Sequence, residues 1–227
     1  MADLFHPTYT DLPKDIPVFP LGGSLLLPGG HLPLNIFEPR YLEMIQDALG
    51  AKRMMAMAQP RPGETSGPAE ATPPRLYDIA CLGRITSFSE ADNGRFLITL
   101  VGVCRFRIAS ELEGRNGYRR VAADYGAFAD DLNPPPQVLD MDRERFLGAL
   151  KKYAEVNNLG LNWGALQDVP LPMLVTSLAM ALPFDATEKQ ALLEADTMQD
   201  RAEQLLTLAT MGAMAPGTMA GGSIRPQ

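Results

Sequence analysis

A change in hydrophobic period at the consecutive prolines Pro134–Pro136 constrains the fold more than any other feature of the sequence. Before these prolines, apolar residues tend to alternate with polar ones, which is the period of a β-strand. After them, apolar residues recur about every three and a half positions, which is the period of a helix. The sequence therefore predicts a β-rich part over residues 16–131 and a helical part over residues 140–214. Because strands and helices occupy separate parts of the chain, we expect the α+β class.

The clearest strand pattern runs from residue 79 to residue 108. Residues 79–89 form an apolar run, and the pair Asn93-Gly94 that follows is the one preferred in tight hairpin turns. Beyond the turn, apolar and polar residues alternate, which predicts a second strand with one buried face. Gly102 falls on the apolar face, where it would allow a bend or a close approach of another segment. The predicted buried face carries Phe96, Ile98, Leu100, Cys104, Phe106 and Ile108, and the polar face carries Arg95, Thr99, Arg105 and Arg107.

The rest of the β-rich part is less regular. Residues 16–36 are apolar but interrupted by prolines and by two Gly-Gly pairs, which favours short strands over a helix. Pro39 suits the first position of a helix, and an apolar stripe follows it, so we predict a helix over residues 39–50. The other predicted elements are strands over residues 53–59 and 118–128 and a mobile loop over residues 60–75, which are rich in Pro, Gly, Ser and Thr.

Four helices are predicted in the second part of the chain. Residues 142–157, 171–182 and 198–214 carry apolar residues at helical spacing. The second of these is apolar on almost all sides, so we expect it to be central. Asp185 and Glu188 form a capping-box pattern, which predicts that a further helix begins there.

The composition is that of an acidic globular protein. The chain has 227 residues, a net charge of −7 and a pI of about 4.9, so general binding to nucleic-acid phosphates is disfavoured. Its two cysteines lie in apolar strand-like stretches, which predicts reduced core residues. Residues 1–15 lack a signal-peptide pattern and are predicted to be a tail, and the Gly-rich residues 215–227 a disordered tail. No apolar stretch approaches the ~20 residues that span a bilayer, so we expect a cytoplasmic protein without a membrane partner.

Several catalytic and cofactor motifs are missing. The sequence has no Gly-Lys dipeptide, and therefore no Walker A phosphate loop, and it has no GxGxxG dinucleotide motif. A zinc site would need carboxylates in addition to the two histidines, His6 and His31, and the two cysteines. A Ser-His-Asp triad without a nucleophile elbow is disfavoured, whereas a Ser-Lys dyad stays open on composition, although the lysines, Lys189 among them, mostly lie on predicted polar faces. We therefore expect no cofactor, no metal and no ATPase activity.

Two blocks of the sequence carry a family pattern. The first is Phe37-Glu38-Pro39-Arg40-Tyr41, within the segment IPVFPLGGSLLLPGGHLPLNIFEPRYLEMIQDAL at residues 16–49. The second is DNGRFLITLVGVCRFRI at residues 92–108, preceded by Cys81-Leu82-Gly83-Arg84-Ile85. In this order the blocks resemble the N-terminal substrate-recognition domain of Lon-type ATP-dependent proteases, and the resemblance extends from residue 16 to residue 213.

The resemblance implies a twisted antiparallel β pseudo-barrel, similar to PUA-like domains, followed by a small C-terminal helical bundle. It also implies a domain that recognises substrates and performs no catalysis itself. A full Lon protease continues into an ATPase module and a Ser-Lys protease module. The present sequence resembles neither module, so we expect a free-standing version of the domain. A label such as ATP-dependent protease, taken over from relatives, would describe modules that this sequence lacks.

Eight residues are candidates for a peptide-binding surface. The apolar run at residues 25–31 ends in a predicted loop, and any exposed part of it would form a patch able to hold extended segments. Glu38 and Arg40 flank a proline at a helix start, where they would form either a structural ion pair or part of the binding surface. Phe37 and Tyr41 would belong either to the core or to that surface. The candidate set is Leu25, Leu27, Pro28, His31, Phe37, Glu38, Arg40 and Tyr41.

The first functional hypothesis is a non-catalytic module that binds exposed apolar or extended polypeptide segments. As the resemblance implies, it would act as an adaptor, a chaperone-like holder or a modulator of a separate ATP-dependent protease, and an exposed apolar patch would also support a homodimer. Two alternatives stay open: a hydrolase with an unrecognised peptidase site, and a small-molecule or RNA sensor that uses a groove between the two halves. The RNA alternative would use Arg105, Arg107, Arg119 and Arg120, if they line one face of the sheet.

Overall fold

The computed structural model describes residues 7–63, 73–136 and 138–214. The predicted C-terminal tail, the centre of the predicted loop 60–75 and residues 1–6 lie outside the described residues. The described part of the predicted N-terminal tail contains a short 3-10 helix, Tyr9–Asp11, and the first strand begins at Asp15. Within the described ranges, no helix is long and apolar enough to cross a membrane.

Six strands form one mixed sheet that closes on itself. The spatial order is β2-β5-β4-β3-β1-β6, and β6 also pairs with β5, which closes five of the strands into a barrel and leaves β2 at the edge. The α+β prediction is confirmed, but one pair, β1–β3, runs parallel where an antiparallel sheet was expected. The strands are β1 (Asp15–Pro20), β2 (His31–Ile36), β3 (Met54–Ala58), β4 (Ile79–Glu90), β5 (Phe96–Arg115) and β6 (Tyr118–Asp124).

The four helices with predicted bounds agree with the prediction to within one residue at each end, and α4 begins where the capping box predicted. Asp142 accepts hydrogen bonds from the backbone N–H groups of Glu144 and Arg145, and Asp185 and Glu188 form the predicted capping box, so local caps set where two helices begin. The helices are α1 (Pro39–Leu49), α2 (Arg143–Val156), α3 (Leu171–Ala181), α4 (Ala186–Glu194) and α5 (Met198–Met214), with 3-10 helices at Gly126–Leu132 and Trp163–Leu166.

Strand β5 is long, and a second Asn-Gly turn follows it. Its first half pairs with β2 and β4, and its second half pairs with β6. Asn116 and Gly117 both have positive φ, +48° and +84°, as a two-residue primed turn requires. At the predicted turn, only Gly94 has positive φ, so the β4–β5 connection is longer than two residues. The predicted strand 118–128 ends at Asp124 and continues as a 3-10 helix.

The two faces of the sheet have separate cores. One face buries residues of the barrel alone, including Ile16, Leu82, Phe106 and Val121. The other face packs against α1 and the C-terminal helices in one continuous cluster. The members of that cluster with almost no exposed surface include Leu27, Met44, Ile45, Met55, Cys81, Leu100, Phe146, Leu150, Val175 and Leu205. The β-rich and helical parts therefore share a core.

Arg105 fastens the helical part to the barrel. Its side chain is buried and forms a two-point ion pair with Asp131, with both nitrogen–oxygen distances at 2.8 Å. The same guanidinium donates to the carbonyls of Leu193, Ala195 and Asp196 at the end of α4. Carbonyls at the C-terminal end of a helix have no hydrogen-bond partner within the helix. The Arg105 cation satisfies them and is attracted to the negative end of the helix dipole. The prediction of Arg105 on a polar face of the sheet is wrong, because the helical part covers that position.

Further buried polar contacts run along α4. Arg201 donates to the carbonyl of Leu192 at 2.8 Å, and its burial together with the nearby Arg105 lowers the pKa of Arg201 to about 10. From the barrel side, Gln59 donates to the carbonyl of Ala186 at 3.0 Å. From the helix side, Gln190 donates to the carbonyl of Ile79 in β4 at 3.0 Å. Helix α4 is therefore held on the barrel by directional bonds as well as by apolar packing.

Both cysteines are buried and free, as predicted. Cys81 belongs to the shared core and Cys104 to the barrel core, so the two side chains point to opposite faces of the sheet. Burial raises the pKa of Cys81, and it raises the pKa of Cys104 to about 12. Cys104 also donates from Sγ to the carbonyl of Phe128 at 3.2 Å, which favours the protonated thiol.

The raised pKa values of these thiols predict that the protein loses stability at alkaline pH. Unfolded thiols ionise near a pKa of about 8.5, whereas the folded protein keeps Cys104 protonated to about pH 12. The unfolded state therefore releases protons first, and the stability present below about pH 8.5 falls as the pH rises toward 12. We expect urea midpoints to decrease steadily above pH 9, and to decrease less steeply in Cys104→Ala. A midpoint that stayed constant between pH 8 and pH 11 would contradict the assignment.

Candidate functional site

Three strands present one exposed face to solvent. Residues directly opposite each other in neighbouring strands point to the same face, so the register identifies its members. Asn35 pairs with Leu97, which pairs with Ser89 on its other side, and Pro33 and Thr99 form the next row. We call this surface the β2–β5–β4 face. Its members, all exposed or half-buried, are His31, Pro33, Asn35 and Phe37, then Arg95, Leu97, Thr99 and Val101, then Arg84, Ser87 and Ser89.

Two large apolar side chains stand open on this face. Phe37 is 47% exposed and Leu97 is 46% exposed, whereas their sequence neighbours Ile36 and Phe96 are buried on the opposite face. The guanidinium of Arg95 lies over the Phe37 ring, 5.5 Å from its centroid. The sequence left open whether Phe37 belongs to the core or to a binding surface. The structure places it on the surface. An exposed Phe and Leu on one face are a feature that binding sites for polypeptides share.

The charge of the β2–β5–β4 face is positive although the protein carries a net charge of −7. Arg84 and Arg95 are its charged members. Neither arginine takes part in an ion pair between described residues. The face can therefore attract a carboxylate without first breaking an internal salt bridge.

The apolar run of the candidate set lies mostly inside the protein. Leu25 and Leu27 are 2% and 0% exposed, so the expectation that they form an exposed patch is wrong. They are buried because Gly102 lets the backbone at Leu27 pack directly against β5, which draws the run into the shared core. Pro28 is half-buried beside Gly102. His31, at the start of β2, is exposed on the β2–β5–β4 face.

The start of α1 combines a surface ion pair with a buried aromatic residue. Arg40 donates to Glu38 at 2.8 Å, and both side chains are close to half exposed. An exposed pair of this kind contributes about 0–1 kcal/mol, so it does little to hold the helix on the barrel. Tyr41 is 6% exposed and packs edge-on against Phe19, which assigns it to the core. Glu38 and Arg40 lie next to Phe37 in the chain, at the border of the exposed face.

The arginines of the RNA hypothesis do not form a free basic surface. Arg105 is buried, and Arg107 is exposed on the same strand. Arg119 is paired with Glu111, and Arg120 with Asp15. Adjacent residues of β6 point to opposite faces, so Arg119 and Arg120 cannot line one face together. Carboxylates neutralise these two arginines.

The junction between the two halves is packed. Arg105 and the polar contacts of α4 fill it, so the groove expected for a small-molecule sensor is occupied by the protein's own side chains. A groove of about 400 Å³ lies elsewhere, within the helical part, and Ala191, Asp200 and Glu203 are among its lining residues. No group of three or more His, Cys, Asp or Glu among the described residues is arranged to hold a metal ion.

One lysine departs from the expected polar position. Lys189 is 6% exposed, and burial lowers its pKa. Its ammonium group donates to the carbonyls of Gly23, at 2.7 Å, and Met180. These contacts give Lys189 a role in joining α4 to the β1–β2 connection and the end of α3, since its partners are backbone carbonyls and not a serine.

The sequence pattern contains a signal for Leu97, although Leu97 is not in the candidate set. Leu97 lies between Phe96 and Ile98 of the buried face, so strict alternation already assigned it to the polar face. A large apolar residue at a position predicted to be exposed is the unusual feature. Finding its neighbour Phe37 required the pairing of β2 with β5, which only the structure supplies.

The comparisons with known proteins agree on one family. The sequence profile of the ATP-dependent protease La (LON) substrate-binding domain matches residues 15–210. Lon protease 2 of Thermus thermophilus is 26% identical over 204 residues, which is 87% of this chain and 24% of that protein. Lon protease 2 of Myxococcus xanthus is 27% identical over 114 residues, 50% of this chain and 13% of that protein. The chain thus spans at most about a quarter of the length of these relatives.

Two solved structures share the fold. A Lon N-terminal domain protein from Xanthomonas campestris superposes with a TM-score of 0.58 at 23% identity, covering 86% of this chain and 98% of that one. The N-terminal domain of Mycobacterium avium complex Lon protease gives 0.59 at 16% identity, covering 87% and 98%. Together with the family profile, which covers most of the sequence, these findings show that the chain belongs to the Lon substrate-binding domain family.

Proposed function

We propose that this protein binds exposed apolar or extended segments of other polypeptides through the β2–β5–β4 face, without catalysing a reaction on them. The observation that carries the proposal is the pair Phe37 and Leu97, which are 47% and 46% exposed on one uninterrupted sheet face. The family supports the same conclusion, since its profile is that of a substrate-binding domain. The occupants of the site would be unfolded or partly unfolded chains.

The size of the apolar surface favours weak and broadly specific binding. Covering the exposed parts of Phe37 and Leu97 would remove roughly 150–200 Å² of apolar surface from water, worth about 4–5 kcal/mol. Association costs at least ~4 kcal/mol in lost translational and rotational freedom. Apolar contact alone therefore leaves little net affinity, which suits a module that samples many clients and releases them.

Such a module would work as an adaptor, a holder of unfolded chains or a modulator of a separate ATP-dependent protease in the cytoplasm. This part of the proposal comes from the relatives. They are named Lon proteases, and this chain matches only a small share of their length. The peptidase alternative receives no support from the site, because the exposed face offers Ser87 and Ser89 but no lysine among its members.

Replacing Phe37 and Leu97 by serine together should weaken binding of fluorescein-labelled, unfolded β-casein by ten-fold or more, measured by anisotropy. The expected loss follows from removing the exposed apolar surface, at about 1.4 kcal/mol for each ten-fold change. Because both side chains are half exposed, their loss should leave the fold intact, which circular dichroism can verify.

The matched control replaces Met173 and Met211 by serine. These residues are 58% and 62% exposed on helices α3 and α5, so the control removes comparable apolar surface that does not belong to the sheet face. Casein binding that fell equally in both double variants, or in neither, would refute the assignment of the site to the β2–β5–β4 face.

A further inference from the structure

Strand β2 has one open edge. Among the described residues it pairs only with β5, and it stands at one end of the strand order. Gly30 lies one position before the first paired residue of β2, and the N–H of Gly102 donates to its carbonyl at 2.9 Å. Hydrogen-bonded pairs alternate along an antiparallel ladder, so Leu32 and Leu34 form the next such pairs with β5. The residues between them therefore direct their backbone polar groups away from β5.

His31 and Pro33 occupy these outward positions. The carbonyls of both residues and the N–H of His31 point toward the open side of β2, where a further strand would lie. Pro33 has no N–H, so the edge lacks one donor at its centre. Proline at an outward position of an edge strand costs no ladder bond, and it discourages pairing with other sheet edges. The edge is thus usable by an added strand but weakened at one identified point.

The side chains of the outward residues belong to the β2–β5–β4 face. An added strand would place every second side chain on that face, next to Pro33, with Phe37 just past the end of β2 and Leu97 one strand further away on β5. Arg95 immediately precedes β5, its guanidinium lies over the Phe37 ring, and it has no ion-pair partner among the described residues. Glu38, which follows Phe37, is already paired with Arg40. A carboxylate on the added strand would therefore meet uncompensated positive charge.

We infer that polypeptide segments bind this protein as an extra β-strand on the open edge of β2, with apolar and acidic side chains turned toward Phe37, Leu97 and Arg95. The inference rests on the proposed function and specifies how it is carried out. Backbone hydrogen bonds do not depend on side-chain identity, so they add affinity while keeping recognition broad. The alternating side chains then select apolar segments that carry Asp or Glu.

A gain-of-function variant tests the strand geometry. Pro33→Val introduces an N–H at the centre of the open edge and keeps an apolar side chain of similar size. We expect it to bind a ten-residue peptide of alternating Val and Asp at least ~3-fold more tightly, because one further backbone hydrogen bond forms. His31→Pro removes the outward N–H of His31, and we expect the same peptide to bind at least ~3-fold more weakly. Unfolding cannot produce the gain, so Pro33→Val remains informative if His31→Pro is unstable.

The control is Thr99→Val, which adds apolar surface to the same face without changing the edge of β2. If Thr99→Val tightened binding as much as Pro33→Val, or if Pro33→Val did not tighten it, strand addition would be wrong. A peptide of alternating Val and Lys that bound as tightly as the Val-Asp peptide would overturn the acidic preference. The proposed function has a separate readout, since loss of casein binding in the Phe37 and Leu97 double variant does not depend on edge hydrogen bonds.

Discussion

Replacing Arg105 by alanine is expected to lower the free energy of unfolding by about 3–5 kcal/mol. The substitution leaves the carboxylate of Asp131, which is 11% exposed, without its charged partner, and only the backbone N–H of residue 105 still donates to it. It also removes the donor that serves the carbonyls of Leu193, Ala195 and Asp196. An unpaired buried charge and unsatisfied carbonyls each carry a desolvation cost, so the effect exceeds that of losing a surface arginine.

Urea denaturation followed by circular dichroism measures this loss, with Arg107→Ala as the matched control. Arg107 lies two positions along the same strand and is exposed, so its removal should change stability by no more than about 0.5 kcal/mol. The double variant Arg105→Ala/Asp131→Ala also removes the carboxylate that lost its ion-pair partner. It should therefore be more stable than Arg105→Ala alone. Equal stability of the Arg105 and Arg107 variants would show that Arg105 does not stabilise the contact between barrel and helices.

The position of Arg105 explains why the β-rich and helical parts behave as one unit. The period change at residues 134–136 marks a change of secondary structure and not a boundary between independent cores. Gln59, Gln190 and Arg105 connect α4, which follows that change, to parts of the barrel that precede it. We therefore attribute the coherence of the structure to α4, because its carbonyl end is bonded to Arg105 and its Gln190 and Lys189 side chains are bonded to the β-rich part.

Elements governed by local chemistry could be predicted from the sequence. The helices that begin at Pro39 and at Asp185 follow from a proline at the first turn and from a capping box. The strands on either side of Gly94 follow from alternation and an Asn-Gly pair. In each case the residues that specify the element lie within a few positions of it, so no knowledge of distant contacts is needed.

Burial of individual residues could not be predicted where it depends on distant partners. Leu25 and Leu27 lie in a segment rich in proline and glycine that reads as a loop, yet strand β5 and the helices cover them. Arg105 occupies a polar position of its strand, but α4 arrives there from nearly ninety positions further along the chain. The candidate site was therefore only partly predictable: His31 and Phe37 lie on the exposed face, whereas Leu97 joins it through strand pairing and Arg95 through its contact with the Phe37 ring.

Gly102→Ala is expected to be at least as damaging as loss of Arg105, costing about 4 kcal/mol or more or preventing folding. A Cβ atom at this position would lie 2.0 Å from the carbonyl oxygen of Leu27 and 2.7 Å from its carbonyl carbon. The clash is with backbone, and that backbone is tied to β5 by hydrogen bonds of 2.9 Å from Gly29 to Gly102 and from Gly102 to Gly30.

Relief of this clash would have to push the Leu27 segment away from β5, and with it the apolar run that begins at Leu25. Gly148→Ala is the control, since a Cβ there meets nothing within 4 Å and the position lies in α2. Alanine is a better helix former than glycine by about 1 kcal/mol, so the control should be as stable as the parent or more so. Thermal unfolding of both variants tests this prediction. A Gly102→Ala protein that unfolds like the parent would mean that the Leu27 segment can leave β5 without loss of stability. In that case, packing against β5 would not be what excludes Leu25 and Leu27 from the binding surface.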